Sequence, residues 1–265
     1  MPSNISICIT QKSRTELLRK KLQELATMEY DPKLLEVCVT DGNMNQDDGL
    51  QELLQEHAHN FLQIKYALSD RAALPFVIPE NNPACDINAQ ICNVATFSKV
   101  VRTDAEIRFM NPKSLQLIDK ELEADKELCL AFKSWHMNRE YVWPNVPQEN
   151  VWAHAKMSFH CSCFWKEAFI KNRGVEEKFA LGFAAEDSYF HQWWRKNRKY
   201  KSPPNGYEVL HLWHDGVRSD NRSRLKREYT MPMYLQFLKE NHTPNEGNSD
   251  WQRPEMIKDL QIWKA

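Results

Sequence analysis

The chain predicts an α/β fold, with a mostly parallel central sheet and helices packed on both faces. Three observations carry this. Short apolar runs alternate with amphipathic helical runs over the first hundred residues. The apolar runs are rich in β-branched and aliphatic residues, as strands of a sheet covered on both sides are. Acidic residues close the second and fourth of these runs, and sheets of this kind bind ligands at the carboxyl ends of their strands.

Residues 5–9 (ISICI) form the first predicted strand, which leads to Gln11. A helix follows over 14–28, with Leu17, Leu18, Leu22 and Leu25 at helical spacing. Asp31-Pro32 breaks the chain, and a second strand over 34–39 ends in Thr40-Asp41-Gly42. Asp41 there can accept hydrogen bonds from a base or ribose, or serve only as the turn-forming Asp before Gly. A helix over 50–57 and a third strand over 61–67 complete the first alternation.

After Asn81-Asn82-Pro83, residues 86–99 read as a helix with Ile87, Ile91, Val94 and Ala95 on one apolar face. The strand 99–103 stops at Asp104-Ala105-Glu106. Two carboxylates at this spacing, just past a strand end, can reach one divalent ion such as Mg²⁺ or Mn²⁺, which in turn can hold a diphosphate. The alternative is an acidic turn that merely ends the strand.

A helix over 112–122 and a strand over 128–132 come next. Residues 134–156 carry Trp135, Trp143 and Trp152 among prolines and polar residues and read as a long loop or flap. Its aromatics can stack on a sugar face or cover the core. Residues 159–164 (FHCSCF) are predicted extended, and the spacing of Cys161 and Cys163 with His154 and His160 is wrong for a structural zinc site.

A short helix over 165–172 precedes Gly174, Phe179 and Gly182, and Glu186-Asp187 opens a helix that runs through Trp193 and Trp194. Acidic residues suit a first helical turn, and a carboxylate beside a cleft also suits a general base. The basic run 195–201 caps that helix or faces anionic groups. His211 and His214 lie three apart, and a single metal ligand from them is easier than two. Residues 218–227 are read as a basic loop able to meet phosphates, and the remainder as one helix (233–239) followed by a polar segment.

With 42% hydrophobic and 11% aromatic residues, the 265-residue chain can bury a substantial core. Its formal net charge of −1 gives no global attraction to nucleic acid or membrane, so no nucleic-acid partner is expected and peripheral membrane contact is left to local patches. Seven cysteines at irregular spacing do not resemble a disulfide framework, and Cys8 and Cys38 sit inside predicted strands. No run is long enough to span a bilayer and no secretory leader is visible. The expected location is cytoplasmic.

Taken in order, these motifs resemble the inverting nucleotide-sugar transferases of glycosyltransferase family 2, with the GT-A fold. The turn Thr10-Gln11-Lys12-Ser13-Arg14 stands where that family often has Pro-Thr-Tyr-Asn-Arg, and Thr40-Asp41-Gly42 where it has Asp-Asp-Gly. Asn88 and Asp104-Ala105-Glu106 match an Asn-containing helix and a D-x-D-like element. Trp165-Lys166-Glu167-Ala168-Phe169, then Gly174 to Phe179, then Gly182 before Glu186-Asp187, match the family's downstream half. The similarity spans residues 4–215, with Glu106 in place of the second Asp and Thr40 in place of the first Asp of Asp-Asp-Gly.

The resemblance implies a GT-A (Rossmann-like) catalytic domain over 1–230 with a helical or irregular extension, 231–265, packed on it. It implies transfer of a sugar from a UDP-, GDP- or dTDP-linked donor to a hydroxyl of a glycan or glycoconjugate acceptor. Gln11, Asp41, Asn88 and Asp104 are expected to bind the donor. Asp104, Glu106, His211 and His214 are the expected ligands of Mn²⁺ or Mg²⁺. Asp187 is the expected base, with Glu186 orienting the acceptor and Trp135 and Trp193 as acceptor-binding aromatics. A sugar nucleotidyltransferase and a non-catalytic carbohydrate-binding relative are the competing readings. Residues 10–15 lack the Gly-rich loop that the former usually shows.

Overall fold

The computed structural model describes residues 2–42, 49–78, 82–137, 161–202, 206–212 and 220–265, together with the backbone of 151–153. The first four parallel strands are β1 (Ile5–Gln11), β2 (Leu35–Asp41), β3 (Gln63–Ser69) and β4 (Lys99–Asp104), side by side in the order β3-β2-β1-β4. Their register aligns Gln11 with Asp41 and Thr10 with both Thr40 and Asp104, so the polar ends form one edge.

The sheet grows to eight strands. β9 (Cys161–Trp165) joins β4 antiparallel, β6 (Leu128–Ala131) pairs with β9, and β10 (Lys199–Lys201) lies outside β6. At the opposite edge β12 (Ile257–Lys264) runs antiparallel to β3. The fold is therefore α/β with a mostly parallel sheet, as predicted.

Alternate residues of the strands feed two cores. Ile5, Ile7, Ile9, Val37 and Val39 meet Leu18, Leu22 and Leu25 of α1 (Thr15–Thr27), Leu50, Leu53 and Leu54 of α2 (Leu50–His57), and Ile118 and Leu122 of α4 (Ser114–Ala124). Cys8, Cys38, Val100 and Phe164 face the other way, onto α3 (Ala84–Asn93), α5 (Lys166–Lys171), α6 (Glu186–Asn197) and α8 (Met231–Glu240). Helix α3 is buried from Ala84 through Ile91, including its polar residues. Gln90 bridges two strands from it, donating to the carbonyls of Ile9 and Cys38 at 2.9 and 3.0 Å.

Three segments differ from the sequence-based expectation. The 134–156 stretch is not wholly loop: β7 (Lys133–Met137) and β8 (Val151–Ala153) are strands of a second, four-stranded sheet, ordered β5-β11-β7-β8. In that sheet β11 (Glu208–His211) lies between β7 and β5 (Ile107–Phe109). The expected basic loop 218–227 is helical where described: α7 (Asp220–Leu225) continues through a π-helical turn, Lys226–Thr230, into α8. The terminal segment ends in β12 rather than in irregular chain. As an edge strand it pairs on one side and has no fully buried residue, with Leu260 and Ile262 exposed alongside Lys258, Asp259 and Lys264, so it lacks the signature of a buried run.

Candidate functional site

Gln11 and Asp41 lie buried at neighbouring strand ends. Gln11 Oε1 accepts the backbone N–H of Arg14, which fixes its side chain, and its buried Nε2 has no hydrogen-bond partner among the described residues. A residue that sequence reasoning missed completes this corner. Arg71, in the turn after β3, lies over Gly42, so that a Cβ on that glycine would sit 3.6–3.8 Å from its guanidinium. Arg71 is held by Asp86 of α3, which also bonds Ser69. The same turn lines a cavity of about 380 Å³ with Leu74, Phe76 and Ile78. An arginine just past a strand end was the available signal, but its partner lies 15 residues away and meets it only in the folded chain.

Asp104 ends β4, and its carboxylate is clasped by Arg102 of the same strand, at 2.7 Å (Nη2 to Oδ1) and 3.3 Å (Nη1 to Oδ2). Arg102 is buried, and a charged side chain directly after Val100 and Val101 in the strand was the clue to it. Glu106 follows one residue beyond Ala105. Its oxygen Oε1 bonds the guanidinium of Arg14 and lies 3.7 Å from His211 Nε2. The strands enforce that meeting, because Leu212 N–H donates to the Glu106 carbonyl at 3.0 Å and His211 is in register with Ile107.

Arg108 braces the turn from below. Its guanidinium donates to the carbonyls of Ala105, Ile107 and Leu17 at 2.6–2.8 Å, and burial pulls its pKa down to about 10. His136, also not foreseen, stacks on His211 from β7, with ring centroids 4.7 Å apart.

Glu106 and His211 thus come together, whereas Asp104 is engaged by Arg102 rather than joined to them as a third ligand. Among the described residues no group of three or more metal-ligating side chains forms. His214 lies outside the described residues. A carboxylate oxygen beside an imidazole nitrogen is a donor pair that suits Mn²⁺, and the guanidinium on the same oxygen shows that the position attracts a cation. Ions of this class are commonly held by one or two protein groups plus substrate phosphates.

The second acidic centre opens α6. Ala184 and Ala185 both adopt left-handed backbone (φ 64° and 76°), a conformation that costs a non-glycine residue about 1–2 kcal/mol. Such strain persists where the surroundings impose it, and it gathers at functional sites. Here Thr230 Oγ1 accepts the Phe183 N–H at 2.9 Å, and Gly182 passes so close that a Cβ would meet Thr230 Oγ1 at 2.2 Å. Glu186 accepts from Asn82 Nδ2 at 2.9 Å, while Asp187 Oδ1 accepts from the Ser188 N–H at 2.5 Å. Burial, reinforced by the neighbouring Asp187, pushes Glu186 up to about 7.

Two expected site residues are placed elsewhere. Asn88 is fully buried on α3, donating to the Val175 carbonyl at 2.8 Å and accepting the Val175 N–H at 2.9 Å. It holds α3 to the 173–177 turn. Trp193 belongs to the core on the inner face of α6, with Arg198 over its ring. Trp135 is half-buried on β7 with Lys133 over its ring.

No family model matches the sequence, and no curated protein matches it either. Solved structures do. A mannosyltransferase, PcManGT from Pyrobaculum calidifontis, in complex with GDP-Man and Mn²⁺, superposes with a TM-score of 0.59 at 15% identity over 97% of this chain and 71% of its own. TarS of S. aureus (1–349) in complex with UDP-GlcNAc gives 0.59 at 13% identity, over 93% and 74%. GalNAc-T7 with UDP, GalNAc and Mn²⁺ gives 0.61 at 10% identity, over 96% of this chain and 53% of its own. The chain has the fold of the GT-A glycosyltransferases.

Proposed function

We propose that the chain is a metal-dependent, inverting glycosyltransferase that moves a sugar from a nucleotide-diphosphate donor to a hydroxyl of a glycan or glycoconjugate acceptor. The observation that carries this reading is the meeting of Glu106 with His211 on the strand edge that also holds Gln11, Asp41 and Arg71. The complexes of PcManGT and GalNAc-T7 with nucleotides and Mn²⁺ support it, on a fold that this chain shares.

In this reading Gln11 and Asp41 hold the nucleoside, with Arg71 alongside, and Asp104, held in place by Arg102, contacts the ribose or diphosphate. Glu106 and His211 hold Mn²⁺ or Mg²⁺, which when bound offsets the charge gathering on the leaving diphosphate. Asp187 accepts the proton of the acceptor hydroxyl while Glu186 orients the acceptor. The oxygen attacks the anomeric carbon as the bond to the diphosphate oxygen breaks, and the electron pair leaves with the diphosphate. A second assignment has its own observation: Glu186, held near 7, has the pKa that suits a general base at neutral pH.

A thermal-shift screen of UDP, GDP, dTDP and their sugars, with and without Mn²⁺, tests the reading. A metal-dependent rise in melting temperature with one nucleotide is expected, because a ligand that binds only the native state stabilises it by mass action. A folded protein that no nucleotide stabilises would shift the reading to a non-catalytic carbohydrate-binding relative.

A further inference from the structure

Arg14 has no part in the scheme above, yet it occupies the centre of the site. It directly precedes α1, its backbone N–H is tied to Gln11, and Glu106 is the only partner of its guanidinium among the described residues. The Glu106 oxygen that it holds is the one facing His211 Nε2. One carboxylate oxygen therefore has two claimants, a guanidinium and whatever cation sits between Glu106 and His211. Positive charges this close repel, so a cation bound there weakens the hold of Glu106 on Arg14. Glu106 is 4% exposed, in the turn between β4 and β5 with its carbonyl held by the Leu212 N–H, whereas Arg14 is 34% exposed just before α1. Arg14 is the partner with room to move.

We propose that Arg14 is a displaceable counter-ion. It pairs with Glu106 in the ligand-free protein, yields that oxygen to the metal, and then engages the diphosphate. This rests on the metal-dependent reading of the site. In the first state Arg14 pairs with a buried carboxylate and holds it aimed at His211, since an unpaired buried charge is costly. In the second its planar fork suits phosphate oxygens. Its anchor beside Gln11 keeps it on the same strand edge as Asp41, where the nucleotide is expected.

The exchange predicts effects of opposite sign from one substitution. Mn²⁺ binding to the full chain, followed by the electron paramagnetic resonance of the free ion, should be about 5-fold tighter in Arg14→Gln than in wild type, a typical size for a coupled pair of sites. At saturating Mn²⁺, calorimetry with UDP, GDP and dTDP should show about 10-fold weaker binding of the nucleotide that wild type prefers, the loss of one charge-assisted contact. Arg14→Lys, which keeps the charge without the fork, should shift both in the same directions by less, and it decides the matter if Arg14→Gln does not fold.

Mn²⁺ affinity equal to or below wild type in the folded variants overturns the inference. So does tighter Mn²⁺ binding with undiminished nucleotide affinity, because Arg14 then never reaches the diphosphate. If wild type takes up no Mn²⁺ with or without nucleotide, the metal-dependent reading itself falls and the inference with it. The two failures are therefore distinct.

Discussion

Three carboxylates around the strand ends each carry an arginine: Asp104 with Arg102, Glu106 with Arg14 and, from α3, Asp86 with Arg71. At the start of α6, Glu186 has a neutral partner, Asn82, and an acidic neighbour, Asp187. The first arrangement gives each carboxylate a cationic partner that fixes it in place. The second, through burial and like charge, lifts a carboxylate toward neutral pH, as a group that exchanges a proton requires. One chain thus gives the same functional group two characters by choosing what stands beside it.

The sharpest way to break this contrast is at the acid pair. Asp187→Asn should lower kcat by about 10²–10⁴-fold, the range for a lost general base, and leave the Kd for UDP or GDP unchanged. Glu186→Gln in parallel identifies which carboxylate takes the proton. If both variants retain wild-type turnover, the two regions do not divide the work.

Packing gives a smaller effect. Gly182→Ala forces a methyl group against Thr230 and Tyr229, an overpacking that costs about 1–3 kcal/mol and lowers Tm. Because Thr230 fixes the backbone just before the acid pair, turnover should fall with it while nucleotide affinity holds. A loss of nucleotide affinity in this variant would show that the two regions are not mechanically separate.

Asn88→Ala strands the buried N–H of Val175, whose carbonyl keeps Asn245 as a donor, a loss of about 1–3 kcal/mol in urea unfolding. Binding of UDP or GDP should be unaffected. Weakened nucleotide binding in a fully folded variant would return Asn88 to the donor site.

Much of this was legible in the chain, and the misses share a cause. The helix predicted over 50–57 is α2, Leu50–His57, because both its amphipathic spacing and its flanking turns are local. Asp41, Asp104 and Glu106 could be placed at strand ends for the same reason. Arg14, Arg71 and Arg102 were passed over because each matters through a partner that only tertiary structure supplies, or through a burial that local sequence does not announce. Asn88 shows the converse. The family resemblance placed it beside the nucleoside, whereas α3 is buried from Ala84 through Ile91 and the Asn88 side chain bonds the backbone of Val175.

The smallest effect is the most diagnostic of the acid pair. Glu186 in the folded chain holds its proton up to about pH 7, above the 4.5 of an unperturbed glutamate. Between those values the native state binds more protons than the unfolded one, so this group's contribution to stability declines as pH rises and levels off above about 7. Glu186→Gln removes the titration. Its Tm relative to wild type should therefore rise from pH 4 to pH 8, with little difference at the acid end. The rate reports the same group differently: if Glu186 takes the proton, wild-type kcat/KM climbs with pH to a plateau above about 7, and that limb vanishes in Glu186→Gln. A limb near 7 that survives the substitution belongs to another residue. The relative Tm would then show whether Glu186 is lifted by its surroundings without being used.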